Sequence, residues 1–275
     1  MPHRPIVTLT TDFGTNDHFV GAVKGVILDI VPEAAIVDIS HAVQAFDVLD
    51  GALTISQAYS YFPTGTIHMV VVDPGVGTTR RPIIASSDGY HFVAPDNGVL
   101  SMVYAREERI HVRHITSDHY FRQPVSSTFH GRDVFAPVAG YLAKLVDSHK
   151  FGEEVEDYVR FAAPKPKPAG DNRIRGVVLK VDRFGNLITN VTPEDVPAIF
   201  AGKAGFKITV GSKEITEIRT AYAEGAPGEV FGILGSMGYL EIVANRAVAA
   251  QLTGAGKGSE VSIALGAGAA AGNGA

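Results

Sequence analysis

Apolar and polar positions change period several times along the first 150 residues, and each change marks an element. Ile6 to Thr11 is an apolar run of strand length. Asp17 to Val31 then sets Phe19, Val23, Val26, Ile27 and Ile30 on one helical face before Pro32. Ala35 to Ile39 reads as a second strand, Asp47 to Tyr61 as a second amphipathic helix closed by Pro63 and Gly65, and Thr66 to Val72 as a third strand. The β-α-β-α-β order predicts an α/β fold with a mainly parallel sheet flanked by helices. A hairpin around Asp88-Gly89 is expected within Pro82 to Ala94. It is followed by a short helix over Gly98 to Arg106, a strand over Arg109 to Ile115 and a helix over Asp133 to Val146.

Beyond Phe161 the pattern changes. Prolines and lysines concentrate in residues 161–172 and favour an extended spacer. Downstream, turn signals at Arg183-Phe184-Gly185-Asn186, Gly211-Ser212-Lys213 and Gly235-Ser236-Met237-Gly238 separate strand-like runs, the pattern of a small β-barrel. The expected organisation is therefore an N-terminal α/β domain over 1–160, a linker over 161–172, a C-terminal β-barrel domain over 173–265 and an Ala/Gly tail over 266–275.

Composition narrows the possible partners. A chain of 275 residues that is 45% hydrophobic can bury one large core or two smaller ones. A net charge of -5 with no long Lys/Arg run argues against nucleic acid. The absence of cysteine removes disulfides, thiolate zinc sites and thiol nucleophiles, and suits a cytoplasmic location. The first apolar run is too short for an export signal, and the tail lacks the bulky residues of an anchor, so no membrane association is expected.

The segment Val70 to Arg81 places Asp73 at the end of an apolar strand, ahead of Pro74-Gly75-Val76-Gly77 and Arg80. Ligands of open α/β sheets gather beyond the carboxyl ends of strands, although Asp-Pro-Gly is also ordinary turn punctuation. Asp12 ends the first strand in the same way, and a strand-end acid suits a ribose diol, whose two hydroxyls need a bidentate acceptor. Asp17 fits either that cleft or a helix start. His130 lies in Ser126 to Asp133, where Asp133 belongs to the first helical turn; His111, His114 and His119 fall on different faces, so no metal site is expected. Asp182, Phe184 and Asn186 share one turn, which suits either nucleobase stacking or a decorated hairpin. Phosphate-loop, nucleophile-elbow and dinucleotide fingerprints are absent.

Four ordered blocks carry a resemblance: Thr10-Thr11-Asp12-Phe13-Gly14, Asp73-Pro74-Gly75-Val76-Gly77 with Arg80-Arg81, Phe129-His130-Gly131-Arg132-Asp133 and Asp182-Arg183-Phe184-Gly185-Asn186. From about Ile6 to Ala244 the chain resembles the S-adenosyl-L-methionine hydroxide adenosyltransferase family, relatives of the fluorinases and chlorinases. The resemblance implies an N-terminal α/β domain, a C-terminal β-barrel domain, and a homotrimer with active sites at subunit interfaces. It implies water activation by Asp73, Arg80 and His130, a ribose contact at Asp12, and a methionine site at Asp17, Asp182 and Ser236. It also implies an adenine contact at Asn186 and aromatic walls at Phe46, Phe184 and Tyr222. S-adenosyl-L-methionine is then the substrate, with no cofactor, and adenosine and L-methionine are the products.

Chemistry agrees with that implication. A sulfonium substrate releases a neutral thioether without a general acid, so catalysis has to act on the nucleophile. Fluorinases carry Tyr, Thr and Ser where this chain has Asp73, Val76 and Gly131, and a carboxylate at 73 would repel halide while serving water. Alternatives are a chlorinase-like halogenase and a non-catalytic module that binds S-adenosyl-L-methionine or adenosine.

Overall fold

Strand β1 (Ile6–Thr11) buries alternate residues on opposite sides of a sheet, and this alternation organises the first half of the computed structural model. Described residues are 4–170, 172–202 and 205–266; the first three residues and the tail from 267 lie outside them. The chain divides into two compact units between Ala163 and Pro164.

In the first unit β1 is followed by α1 (Phe19–Ile30), β2 (Ala35–Ser40), α2 (Val48–Ala58) and β3 (Thr66–Val71). Then come β4 (Pro82–Ser86), β5 (Tyr90–Pro95), α3 (Ser101–Tyr104), β6 (His111–His114) and α4 (Ala136–Ala143). The sheet order is β2-β1-β3-β5-β4-β6. Val7, Leu9, Ile67 and Met69 pack on one face with Val23 and Ile27 of α1 and Val138 and Leu142 of α4. Val70, Val72 and Phe92 pack on the other with Ile55 of α2 and Val103 of α3. Each such aliphatic side chain contributes about 1.5–3 kcal/mol on full burial.

The sheet is mixed, which corrects the expectation of a mainly parallel one. β1 pairs in parallel with β2 and β3, and β3 with β5. The hairpin turns the chain back on itself, however, so β4 runs antiparallel to both β5 and β6. The helix expected from Asp133 also opens differently: Gly131–Phe135 forms a π-helical turn before α4. Such widened turns recur at functional positions.

The second unit contains β7 (Lys167–Pro168), β8 (Arg173–Val181), β9 (Leu187–Thr189), α5 (Pro197–Phe200), β10 (Phe206–Val210) and β11 (Lys213–Ile215). β12 (Ile218–Arg219), β13 (Val230–Leu234), β14 (Leu240–Ala244), α6 (Ala249–Thr253) and β15 (Glu260–Leu265) complete it. Its strands run β11-β10-β15-β8-β9-β14-β13-β12, with β7 on β8, as a curled half-barrel. A register shift between Val178 and Lys180 sits where β8 passes from β15 to β9, and a bulge of this kind bends a strand. Val178, Leu187, Ile208, Leu240, Ile242, Val261 and Ile263 fill the concave core.

His68 of β3 is fully buried, bonded through Nδ1 to Thr8 Oγ1 at 2.7 Å and stacked on Phe92. Burial pushes its pKa from 6.5 down to about 3. The native state therefore keeps the ring neutral while the unfolded chain protonates it. Its stabilising contribution is complete above 6.5 and is lost as pH falls toward 3, at up to about 1.4 kcal/mol per pH unit. Urea titrations at pH 7 and pH 5 should show this loss, and His68→Leu should flatten it while lowering stability at pH 7.

Candidate active site

Because β1 and β3 are parallel neighbours, with Thr11 opposite Val71, the residues just past their carboxyl ends emerge side by side. Asp12 and Asp73 follow those ends and line one cavity of about 400 Å³ with Phe13, Phe19, Phe46, Val76, Phe129, His130 and Gly131. Asp12 Oδ2 accepts the Phe46 amide at 2.9 Å. Burial raises the Asp12 pKa above 3.8, Asp73 adds to the rise, and backbone hydrogen bonds oppose it.

Arg80 organises the rest of this wall. Its Nε donates to both Asp73 oxygens at 3.0 Å, and its Nη2 donates to Asp73 Oδ2 and to His130 Nδ1, the latter at 2.8 Å. The guanidinium and the carboxylate are 8% and 5% exposed, so this is a buried pair with little screening by water. Arginine only donates, so His130 Nδ1 must present its lone pair and the ring proton resides on Nε2. Burial and the Arg80 charge both lower the His130 pKa below 6.5, in agreement with a neutral ring. Arg80 Nη1 is buried without a hydrogen-bond partner among the described residues, and the guanidinium lies over the Phe135 ring at 5.2 Å.

Two features bring these groups together. Gly77 has φ +76° and packs against the backbone at Ser127, where a Cβ would collide with the Ser127 carbonyl oxygen; this contact ties the Asp73–Arg80 loop to the one bearing His130. Asp133, fully buried, anchors the second loop by accepting Ser126 N at 2.9 Å and Arg132 Nε at 2.7 Å. The apolar side is a ring cluster of Phe13, Phe19 and Phe129, with centroids 5.2–6.1 Å apart. A Cβ at Gly131 would stand 3.0 Å from Phe13 Cζ, so the missing side chain admits this ring.

Phe46 is held at φ +65°, a conformation that costs a non-glycine residue energy, yet the residue is 72% exposed at the cavity. The preceding hydrogen bond to Asp12 and the capping of α2 by Asp47 hold it there. Asp17 is exposed and is not among the residues lining this cavity, and α1 starts without a side-chain cap.

In the second unit, Asp182 spends its oxygens on its own turn. Oδ1 accepts Phe184 N at 2.9 Å and Asn186 N at 2.8 Å, while Oδ2 accepts Asn186 Nδ2 at 2.9 Å. Asp182 thereby closes the turn, and Phe184 at its tip is 76% exposed. Ser236 is exposed in the turn after β13, and Tyr222 is half-exposed in a short 3₁₀ turn. Burial raises the Tyr222 pKa, with smaller contributions from the charges of Glu241 and Asp182. Sequence reasoning missed the burial of Glu241, a lone acid inside the apolar run Leu240 to Ala244. It missed the Phe13, Phe19 and Phe129 cluster as well. Among the described residues no group of three or more His, Asp or Glu side chains could hold a metal, and no helix is long and apolar enough to cross a membrane.

Sequence models of the N-terminal and C-terminal domains of SAM hydroxide adenosyltransferase match residues 7–152 and 176–262. The chain belongs to this family. It is 40% identical over 196 residues to (R)-S-adenosyl-L-methionine hydrolase of Methanocaldococcus jannaschii, covering 70% of this chain and 68% of that one. The protein of the same name from Salinispora tropica is 34% identical over 97% of this chain and 100% of its own. A fluorinase of Nocardia brasiliensis is 29% identical, over 89% of this chain and 91% of its own. A crystal structure of an uncharacterized conserved protein from Thermotoga maritima superposes with a TM-score of 0.85 at 35% identity, covering 94% of this chain and 99% of that one.

Gly77→Ala should separate the two loops. The expected result is a loss of about 2 kcal/mol or more of stability, read as a lower thermal midpoint, because both the positive φ and the backbone contact forbid a Cβ.

Proposed function

We propose that this protein hydrolyses S-adenosyl-L-methionine, in the (R) form that its relatives' names specify, to adenosine and L-methionine. The observation that carries this reading is the pair Asp73 and His130, both bonded to the buried Arg80, in the wall of a cavity that also holds Asp12 and Phe46. The C5′–oxygen bond forms as the C5′–sulfur bond breaks, and the bonding pair leaves on sulfur, so methionine departs uncharged. Arg80 and the His130 Nε2–H stabilise negative charge as it develops on the attacking water. The His130 lone pair is already taken by Arg80, so the proton leaves toward the cavity carboxylates, Asp73 and Asp12. Asp12 holds the ribose diol and Phe46 covers the nucleoside. Asp17, Asp182 and Ser236 serve the methionine end, while Phe184, Asn186 and Tyr222 serve the adenine. Homotrimeric assembly, with sites at subunit interfaces, belongs to the same proposal.

Incubation with the substrate followed by chromatography tests the reaction: adenosine and methionine should appear in equal amounts. Adenosine at the uncatalysed background, or 5′-chloro- or 5′-fluoro-5′-deoxyadenosine formed with added halide, would overturn it. Asp73→Asn should retain substrate binding and lose turnover by about 100-fold or more.

The pH profile follows from the neutral His130. Because its pKa is lowered below 6.5, kcat should hold steady through neutral pH and decline only on the acid side of 6.5, as protonation of Nδ1 repels Arg80. An acid limb centred above 6.5 would contradict this assignment.

A further inference from the structure

A buried imidazole, His41, stands beside the end of β1 and takes no part in the cavity wall. On its β3 side the end of β1 is held in the ladder, with Thr11 opposite Val71. On its β2 side the ladder shifts register between Leu9 and Thr10, and its last pair is Thr10 with Ser40. Thr11, immediately ahead of Asp12, therefore depends on other bonds there.

His41 supplies them from the position just after β2. Its ring, 4% exposed, meets Thr11 Oγ1 through Nδ1 at 2.8 Å, and its carbonyl accepts Gly14 N at 2.8 Å. These two bonds hold the chain on either side of Asp12 and Phe13. Thr11 Oγ1 also accepts Phe13 N at 3.3 Å, so the hydroxyl that His41 fixes is itself part of the turn. The same segment then runs on to Phe46, whose amide donates to Asp12 Oδ2.

The far edge of the ring is anchored as well. Nε2 lies 3.1 Å from Asp38 Oδ1, a close polar contact that is not aligned as a hydrogen bond. Lys24 of α1 donates to the other oxygen, Asp38 Oδ2, at 2.7 Å. The imidazole thus spans from a carboxylate tied to α1 to the last hydroxyl of β1. Filling the volume alone would be done as well by a hydrocarbon ring. What the imidazole adds is direction, because a buried hydroxyl that loses its partner costs about 1–3 kcal/mol.

We propose that His41 is a positioning residue for ribose recognition: acting through Thr11, it sets the Asp12 carboxylate where both hydroxyls of the diol can reach it. This rests on the ribose role of Asp12 in the hydrolase reading above and adds to it a residue that touches no substrate.

The test measures calorimetric affinities of the full-length protein for adenosine and for 2′,3′-dideoxyadenosine, which lacks the diol. Wild type should favour adenosine by about 10- to 100-fold, the range of hydrogen bonds to a charged group. His41→Phe should cut that preference by about fivefold or more while leaving the affinity for the dideoxy ligand within about twofold. Thr11→Val, which exchanges the hydroxyl for a methyl group, should act in the same way. His41→Asn, whose amide stands where Nδ1 lies, should keep the preference within about twofold of wild type. Circular dichroism verifies folding, and Thr11→Val decides if His41→Phe does not fold. Equal weakening of both ligands in the folded variant marks a merely structural residue and overturns the role of His41, as does an unchanged preference. Equal affinities in wild type overturn the ribose role of Asp12 and this inference together, whereas the hydrolase reading is tested separately by adenosine formation.

Discussion

A guanidinium buried to 8% exposure must be neutralised where it lies, and at Arg80 that requirement shapes the whole cavity wall. Asp73 supplies the opposite charge through bidentate contact, so its position is set by the pair as much as by β3. His130 then meets a donor that cannot give up its proton, which fixes the tautomer of the imidazole. One electrostatic constraint thus sets a carboxylate, a cation and an N–H donor in a known order. Neither Arg80 nor Asp73 can turn away without leaving a buried charge unpaired.

The sheet makes that constraint affordable. Parallel pairing of β1 with β3 delivers Asp12 and Asp73 to the same edge, just beyond the carboxyl ends of the strands, where side chains can meet a ligand. Two loops of irregular backbone then converge through Gly77 at Ser127, a contact that depends on an absent side chain. Precision in the site is therefore borrowed from backbone packing rather than from the polar groups alone.

Much of this was legible in residue order. The helical spacing of Phe19, Val23, Ile27 and Ile30 and the Asp88-Gly89 turn mark α1 and the hairpin because both signals are local. The mixed sheet was not read, although that hairpin already required an antiparallel pair, because the β-α-β rhythm of the first 72 residues dominated the pattern. Asp73 and Arg80 lie seven residues apart and could be paired from the turn between them, whereas His130 joined them through family likeness. Asp182 shows a different limit: its three hydrogen bonds stay within one turn, and composition does not say whether an acid serves its own backbone or a ligand. Glu241 was hidden because strand alternation hides the depth of a single position.

The missing side chain at Gly131 bears on how reaction type could change within such a scaffold. Phe13 occupies the space that a hydroxymethyl group would need, at 3.0 Å from the nearest ring carbon, and Phe13 is itself locked against Phe19 and Phe129. A side chain at this position would press on Phe13 and Phe129, and those two rings would have to give by a few tenths of an ångström. A hydroxyl at this position is thus coupled to the aromatic side of the cavity, so a change in what the wall can hold is bound to how Phe13 and Phe129 pack.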